Sequence, residues 1–424
     1  MSWIKSIVKS PLFKIASFNS ASLLVRIFTG LLSSKAIAYF IGPSGMALMG
    51  NFRNFSSTLE AVGVLGFQNG IVKTVAENKE DKNKVYSLLT TVFYTLLITS
   101  LLVSFTVLLG SNYFLKSILN GNETYLLALQ ILAFSIPFSI LHLFFVSVIN
   151  GLSLYKKVIS ITVFSYIAGL LISVFLMWKF TVLGAMISVS IVSFLLFCFS
   201  GFYFLKQFSL KEILNIQHFD FHQVKRVVVF ASMTLFSSIL TPIVYIYIRK
   251  LIITSQSIEA AGYYEAMSRI SSFYMMFITT LVSLYYLPEL SKTSSLSENK
   301  PLIRQFYKTI LPVFSIGLIL IFFLKDIVIL ILFTKDFSAV SNLFFWQLLG
   351  DFFRAAALIL AIQFFAKKLV KPYFITEIIS FSILIFSSCF GIQYFGVEGA
   401  VMAYAITYFL YFVVVGVYFR KIIF

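Results

Sequence analysis

The chain has 424 residues, of which 59% are hydrophobic, 18% aromatic and only 12% charged, and its mean hydropathy is +0.96. A soluble domain carries about 25% charged residues and at most about half apolar residues, so this composition excludes an ordinary soluble protein. The formal net charge of +17 raises nucleic-acid binding as an alternative, which the positions of the basic residues then argue against.

Twelve apolar segments are long enough to cross about 30 Å of hydrocarbon as helices, which takes about 20 residues each. They are predicted at 15–41, 45–72, 85–110, 123–150, 157–178, 181–205, 224–250, 258–287, 304–324, 337–364, 372–395 and 397–419. The sequence therefore predicts an all-α integral membrane protein with twelve transmembrane helices.

The basic residues are distributed unequally between the two sides of this predicted topology. When the connections are assigned alternately to the two sides, one side carries 21 Lys and Arg residues and the other carries 6. Short loops with the basic excess stay in the cytoplasm, so both termini are expected to be cytoplasmic. Because the excess charge is mainly a topology signal, we expect no nucleic-acid partner.

An internal repeat at an offset of about 215 residues divides the chain into two halves. Val182-Leu183-Gly184-Ala185 aligns with Val397-Glu398-Gly399-Ala400, and at an offset of 216 Arg53 aligns with Arg269. Two halves of six helices each are typical of transporters that bind their substrate between the halves. The predicted domains are an N-terminal six-helix lobe at 1–205, a cytoplasmic linker at 206–226 and a C-terminal six-helix lobe at 227–424.

Ionisable residues within the predicted spans share helical stripes with Ser, Thr, Asn, Gln and Tyr, and each would cost several kcal/mol if it faced lipid. We therefore expect them to line a hydrated cavity. Lys35 is different, because it points away from the Arg26 stripe, so either the helix bends or Lys35 snorkels towards the interface. The candidate binding cations are Arg26, Lys35, Arg53, Arg249, Lys250, Arg269 and Arg354, and the candidate coupling or pairing carboxylates are Glu60, Glu265, Asp351 and Glu377.

A purely structural role for some of these charges stays open. Glu265 and Arg269 are four residues apart, and Asp351 and Arg354 are three apart, so each pair could be satisfied within its own helix. Arg249-Lys250 lies near a helix end, where snorkelling to the interface is as good an interpretation as substrate contact. The carboxylates could also couple transport to protons or sodium ions.

The spans of the N-terminal half have a cationic surplus, since they contain Arg26, Lys35 and Arg53 but only Glu60 among the acids. A cavity with excess cations requires an anion, and arginine binds phosphate through a planar fork of donors. A phosphorylated substrate is therefore predicted. No cofactor is expected, and no metal, because His218 and His222 have the spacing of metal ligands but no strong third ligand nearby.

Several separated motifs carry a family resemblance that runs along the whole chain. They are Ile41-Gly42-Pro43-Ser44-Gly45, Gly50-Asn51-Phe52-Arg53, Tyr247-Ile248-Arg249-Lys250-Leu251, Tyr286-Leu287-Pro288-Glu289-Leu290, Phe345-Trp346-Gln347-Leu348-Leu349-Gly350-Asp351 and Phe374-Ile375-Thr376-Glu377. In this order they resemble the Wzx-type flippases of bacterial polysaccharide synthesis, within the multidrug/oligosaccharidyl-lipid/polysaccharide exporter superfamily. The resemblance implies two six-helix lobes around a V-shaped cavity, as in the MATE-like fold.

The resemblance also implies an activity and a location. A protein of this kind moves an undecaprenyl-diphosphate-linked oligosaccharide, such as an O-antigen repeat unit, from the cytoplasmic to the periplasmic leaflet of the bacterial inner membrane by alternating access. Its partners would be membrane lipids, the lipid-linked oligosaccharide, and a polysaccharide polymerase with chain-length machinery. The positions that match the family's charged cavity positions are Arg26, Lys35, Arg53, Arg249, Lys250, Asp351, Arg354 and Glu377, whereas Arg269 rests on the internal repeat alone.

Two other functions compete with this interpretation. A multidrug or cation antiporter of the same superfamily would require acidic residues to dominate the cavity, and this chain shows the opposite. A membrane-embedded polysaccharide polymerase would require a sizeable external loop or an acidic catalytic motif, and the predicted external loops are short. We therefore expect a transporter and not an enzyme.

Overall fold

The computed structural model describes residues 11–228, 231–293 and 297–420, and the side chains of 11–22, 225–228 and 297 are not described. Of the basic residues counted in the sequence, Lys5, Lys9 and Lys421 lie outside the described residues, as do the side chains of Lys14, Lys225 and Arg226.

The described residues form helices joined by short connections. Sixteen α-helices are present: α1 Pro11–Val64, α2 Gln68–Asn78, α3 Lys82–Leu109, α4 Ser111–Ile118, α5 Leu126–Gly151, α6 Tyr155–Leu205, α7 Leu210–Ile213, α8 Phe221–Val228, α9 Ser232–Ser255, α10 Ile258–Leu281, α11 Leu287–Lys292, α12 Lys300–Gln305, α13 Leu311–Phe323, α14 Lys325–Leu332, α15 Phe344–Ala366 and α16 Val370–Tyr418. Short 3₁₀ segments cover Glu123–Tyr125, Ile216–His218, Ser297–Asn299 and Lys335–Leu343, and single π-helical turns cover Val282–Tyr286 and Phe306–Ile310. No strand occurs among these described residues.

Nine helical stretches of the described chain are long and apolar enough to cross a membrane. Three of them, α1, α6 and α16, contain 54, 51 and 49 residues, which is far more than one crossing requires. Each of the three contains one residue with non-helical backbone angles, at Gly42, Thr181 and Gly396. Counting these breaks, nine stretches plus three give twelve crossing segments, which confirms the number expected from the sequence.

The breaks in α6 and α16 repeat the same local geometry. Thr181 and Gly396 are 215 positions apart, and both have positive φ, at 50° and 58°. Three residues after each break a glycine meets the preceding helix so closely that a Cβ would lie 1.9 Å from a backbone oxygen, that of Leu176 for Gly184 and that of Gly391 for Gly399. The offset of 215 found in the sequence therefore corresponds to a repeated helical hairpin.

The second predicted span, 45–72, is interrupted in the structure. Helix α1 ends at Val64, Leu65 and Gly66 have φ of 54° and 68°, and α2 then begins at Gln68. A Cβ at Gly66 would lie 2.9 Å from the Ala231 carbonyl oxygen. Hydropathy does not show this turn, because the run of apolar residues continues through it. The turn is visible only in the backbone angles and in the close approach of Gly66 to the distant Ala231.

The predicted linker 206–226 runs along α3 and is hydrogen-bonded to it. The Tyr94 hydroxyl donates to the Leu214 carbonyl oxygen at 2.9 Å, and the Asp220 backbone N–H donates to Thr91 Oγ1 at 2.8 Å. Ile213 on the short helix α7 is fully buried. A hydrogen bond from the His222 backbone N–H lowers the pKa of the Asp220 carboxyl.

The described chain clusters into two compact units. The first unit holds the described residues of Met1–Ala36 and of Phe52–Pro242, and the second holds Ile37–Asn51 together with the described residues of Ile243–Phe424. The segment Ile37–Asn51 thus packs with the C-terminal part of the chain. Inside this second unit, Gly262 on α10 lies so close to Pro43 that a Cβ would be 2.0 Å from the Pro43 carbonyl oxygen.

We predict that Gly262→Ala destabilises the protein by about 1–3 kcal/mol, because the added methyl group overpacks against a backbone oxygen that cannot rotate away. Gly317→Ala is the matched control: this glycine is also inside a helix, and a Cβ there meets nothing within 4 Å. The control should be neutral or slightly stabilising, since alanine is the better helix former. Thermal unfolding in detergent measures both, and equal midpoints for the two variants would contradict the close packing.

Candidate functional site

The structure divides the ionisable residues expected from the sequence between the two units. The first unit contains Arg26, Lys35, Arg53 and Glu60, all on α1. The second unit contains Arg249, Lys250, Arg269 and Arg354 together with Glu265, Asp351 and Glu377.

The four candidate residues of the first unit all lie on α1, with Arg26 and Lys35 before the break at Gly42 and Arg53 and Glu60 after it. Arg26 is exposed, whereas Lys35, Arg53 and Glu60 are half-buried. Glu60 makes a hydrogen bond with the side chain of the buried Ser139 on α5. Because Arg53 and Glu60 are seven residues apart on an unbroken stretch of helix, they lie on the same face and about 10 Å apart along its axis.

A cavity of about 530 Å³ lies beside Glu60. All of its lining residues belong to the first unit, and they come from α1, the turn at Gly66, the start of α2, α5 and the first half of α9. The lining consists of Ser57, Glu60, Ala61, Val64, Gly66, Gln68, Leu143, Thr234, Leu235, Ser237, Ser238, Thr241 and Pro242. The volume is within the range of about 300–1,000 Å³ that is usual for small-molecule sites.

In the second unit, Glu265 is the centre of a buried ion cluster. Its two carboxylate oxygens accept from Arg249 Nη1 at 2.7 Å and from Arg269 Nε at 3.1 Å. Arg249 Nε donates to Asn51 Oδ1 at 2.7 Å, and the Arg249 residue is only 1% exposed. The Arg249 guanidinium is thus removed from solvent and held from two sides.

This cluster closes because Gly50 has no side chain. A Cβ at Gly50 would lie 2.5 Å from Glu265 Oε2. The segment Ile37–Asn51 therefore approaches α10 closely enough for Asn51 to reach the arginine. Nearby, Ser44 Oγ donates to Glu259 Oε1 at 2.7 Å and adds a second polar contact between the same segments.

A second buried cluster of the same unit surrounds Asp351, which is fully buried on α15. Its carboxylate accepts hydrogen bonds from the hydroxyls of Ser271, Tyr274 and Tyr404 and from the Gln347 amide at 3.3 Å. The distance from Tyr404 is 2.7 Å. These four donors satisfy the acceptor positions of the buried Asp351 carboxyl group.

Arg354 joins the Asp351 cluster indirectly. Its Nη1 donates to the Tyr404 hydroxyl at 3.1 Å, and that hydroxyl in turn donates to Asp351. The guanidinium carbon also lies 5.4 Å from the centre of the Tyr408 ring, a cation–π distance. The three-residue spacing of Asp351 and Arg354 therefore leads to a contact through a tyrosine hydroxyl.

The remaining candidates have simpler surroundings. Glu377 accepts from the Tyr411 hydroxyl at 3.1 Å, and Lys250 is exposed at the end of α9. His218 and His222 contact Glu212 and Asp220 respectively, at 3.2 and 3.3 Å. Within the described part of the chain, no group of three or more His, Cys, Asp and Glu side chains could hold a metal ion.

Several polar residues of these clusters were missed from the sequence. Asn51 contacts Arg249, and Ser271, Tyr274 and Tyr404 contact Asp351. Ser272, the neighbour of Ser271 on α10, is exposed and donates to the Arg269 carbonyl oxygen of its own helix. The only available signal was the small-polar motif around Gly50-Asn51, because contacts between distant helices leave no spacing pattern.

We predict that Glu265→Ala costs about 3–5 kcal/mol of stability, because it leaves the Arg249 charge buried without its partner. Glu289→Ala is the matched control, since Glu289 pairs with an exposed lysine, Lys292, at 2.5 Å and should contribute less than about 1 kcal/mol. The double replacement Arg249→Met with Glu265→Leu should recover much of the loss. Chemical or thermal unfolding in detergent checks this, and similar losses for Glu265→Ala and Glu289→Ala would count against the cluster.

Comparison with known proteins agrees with this architecture. Escherichia coli (strain K12) has a protein named lipid III flippase that is 27% identical over 416 residues, which cover 95% of this chain and 96% of that protein. A multidrug resistance MATE family transporter of the MOP superfamily, solved in an inward-facing conformation, has a TM-score of 0.74 at 13% identity, covering 95% of this chain and 98% of the other. The lipid II flippase MurJ in an inward closed conformation has a TM-score of 0.69 at 19% identity, covering 97% and 90%.

These structural likenesses establish the fold, which is the twelve-helix fold with two six-helix lobes that was expected from the sequence. A family model described as polysaccharide biosynthesis protein matches residues 37–342, which is more than two thirds of the chain. The chain therefore belongs to the polysaccharide biosynthesis protein family.

Proposed function

We propose that this protein is a flippase that moves an undecaprenyl-diphosphate-linked oligosaccharide from the cytoplasmic to the periplasmic leaflet of the bacterial inner membrane. The oligosaccharide would be an O-antigen or related repeat unit. Both termini would be cytoplasmic, with lobes at 1–205 and 227–424 and a cytoplasmic linker at 206–226. The activity is transport by alternating access and involves no covalent step.

The charges of α1 are the observation that carries this proposal. Arg26 and Lys35, before the break at Gly42, and Arg53, after it, bring three cations into the parts of α1 that belong to the first unit. Glu60 is the only acid expected there from the sequence. Cations within a span are costly unless they serve a ligand or a partner. A diphosphate is the anionic group that arginine forks and a lysine ammonium bind best.

The relatives support the substrate class. A protein that aligns with nearly the whole chain is named for flipping lipid III, and a fold neighbour is named for flipping lipid II. The family description places the chain in polysaccharide biosynthesis. A polysaccharide polymerase and its chain-length machinery are the protein partners that such a substrate implies.

We assign the second unit's carboxylates Glu265 and Asp351 to pairing. Glu265 is held by two arginines, and Asp351 by four hydrogen-bond donors, so the oxygens of both buried groups already have partners. Arg249, Arg269 and Arg354 contribute to these clusters and would contact substrate only if the clusters open.

The membrane potential supplies a driving force for the proposed transport. Because it is negative inside, it favours outward movement of the anionic head group by about 2.3 kcal/mol per charge per 100 mV.

The alternative is a multidrug or cation antiporter, and the fold likeness to a MATE family transporter is consistent with it. A cationic cargo would require unneutralised acids in the spans. In the described structure Glu265 of the second unit is ion-paired and Asp351 is hydrogen-bonded, whereas the candidate residues of the first unit are Arg26, Lys35 and Arg53 against Glu60. This charge balance favours the anionic lipid-linked substrate.

We predict that Arg53→Ala reduces leaflet transfer of a labelled undecaprenyl-diphosphate oligosaccharide in reconstituted vesicles by at least about tenfold. A lost charge-assisted hydrogen bond is worth about 1.5–3 kcal/mol, and 1.4 kcal/mol corresponds to a factor of ten. Arg53→Lys should retain part of the activity, because the charge remains while the fork is lost.

Lys84→Ala is the control for this experiment, since Lys84 is an exposed lysine at the start of α3 that pairs with Asp81 at 3.0 Å. Both variants must reach the membrane in normal amounts. Wild-type transfer by Arg53→Ala would argue against the anion site. Elongation of the sugar, in place of transfer at constant length, would identify a polymerase.

A further inference from the structure

The cavity beside Glu60 is chemically different from a phosphate site. Glu60 is the only ionisable residue among its thirteen lining residues, and no Lys or Arg lines it. A carboxylate repels a diphosphate at short range, so the anionic part of the substrate belongs elsewhere on α1, towards Arg53. The cavity is therefore suited to a different part of the same molecule.

The lining combines hydrogen-bonding groups with apolar surface. The hydroxyls and amide come from Ser57, Gln68, Thr234, Ser237, Ser238 and Thr241, and the apolar part comes from Ala61, Val64, Leu143, Leu235 and Pro242. A sugar has this dual character, because its hydroxyl and acetamido groups donate and accept hydrogen bonds while its C–H faces pack on apolar side chains. So many polar side chains would be costly against lipid, which indicates that the cavity is hydrated.

Glu60 keeps capacity for a ligand although it already contacts Ser139. An ionised carboxylate has about four acceptor positions, and Ser139 uses one of them. Sugar hydroxyls and acetamido N–H groups are donors that form charge-assisted hydrogen bonds with such an oxygen.

A small metal cation fits this cavity poorly. Bound cations require several oxygen ligands at about 2.3–2.6 Å. Here one carboxylate and several neutral groups surround a space of about 530 Å³. In a space of this size they are too far apart to replace the hydration shell of a small cation. No second carboxylate lines this described cavity.

We propose that the Glu60 cavity is a sugar subsite that recognises the oligosaccharide beyond its first sugar, and that Glu60 is a specificity determinant; this inference rests on the proposed function. The spacing on α1 supports the assignment. Arg53 and Glu60 lie on the same face about 10 Å apart along the helix axis, which is longer than one sugar ring. With the diphosphate at Arg53, Glu60 reaches a more distal sugar.

The test uses vesicles that contain the full chain and two probes. One probe is the undecaprenyl-diphosphate oligosaccharide that accumulates in cells depleted of the protein, and the other is the same lipid trimmed to its first sugar. Glu60→Gln should raise the half-saturating concentration of the whole lipid by about tenfold to hundredfold, because charge-assisted hydrogen bonds are lost. Transport of the trimmed lipid should not change.

A second variant tests the same cavity independently if Glu60→Gln folds poorly. Thr241→Val removes one lining hydroxyl at nearly constant volume. It should raise the half-saturating concentration of the whole lipid by about two- to tenfold and leave that of the trimmed lipid unchanged. The matched control is Glu77→Gln, because Glu77 on α2 pairs with exposed Lys73 at 3.6 Å and does not line the cavity. This control should leave both lipids unchanged.

The possible failures are distinguishable. The subsite proposal is overturned if Glu60→Gln impairs transport of both lipids equally, or if it changes the dependence of transport on pH or sodium. Either result would mean that Glu60 acts in coupling or folding. Unchanged transport of both lipids overturns it as well. If the wild-type protein moves neither lipid, the proposed function itself is wrong.

Discussion

Hydrocarbon offers no hydrogen-bond partner to a peptide group or to a charged side chain, and the rest of this structure depends on that constraint. The backbone meets it by forming helices throughout the spans, with sharp breaks only where the chain turns back. Close approaches at glycine follow from the same condition. With little hydrophobic effect between helices in lipid, close van der Waals packing has to hold them together, as at Gly184, Gly262 and Gly399.

The side-chain charges meet the constraint in two different ways. In the second unit Glu265 is ion-paired with two arginines, and Asp351 accepts hydrogen bonds from hydroxyl groups. In the first unit Arg26 and Lys35 precede the break at Gly42 and Arg53 and Glu60 follow it, and Glu60 lies beside a cavity with a polar lining. A self-contained cluster stabilises a fold, whereas a polar cavity beside charged side chains can accept a ligand.

Much of the architecture could be predicted from local sequence. The predicted gaps between spans at 42–44, 179–180 and 396 contain or closely adjoin the observed breaks at Gly42, Thr181 and Gly396. The four-residue spacing of Glu265 and Arg269 likewise gave a contact, at 3.1 Å. These features depend on hydropathy and helical periodicity, which neighbouring residues determine. The three-residue spacing of Asp351 and Arg354 was a weaker guide, because Tyr404, fifty positions away, stands between them.

The sequence by itself determined that the chain resides in a membrane, that it crosses about twelve times, and that its two halves repeat at an offset of 215. Composition and periodicity are local properties, and the energetic penalty of exposing polar groups to lipid makes them sufficient for these conclusions. Only the tertiary structure decided that Ile37–Asn51 packs with the C-terminal unit, that Arg249 contacts Asn51, and that a cavity forms beside Glu60. Those features depend on which helix faces meet, and residues as far apart in the chain as Ser44 and Glu259, 215 positions, must come together before such contacts exist.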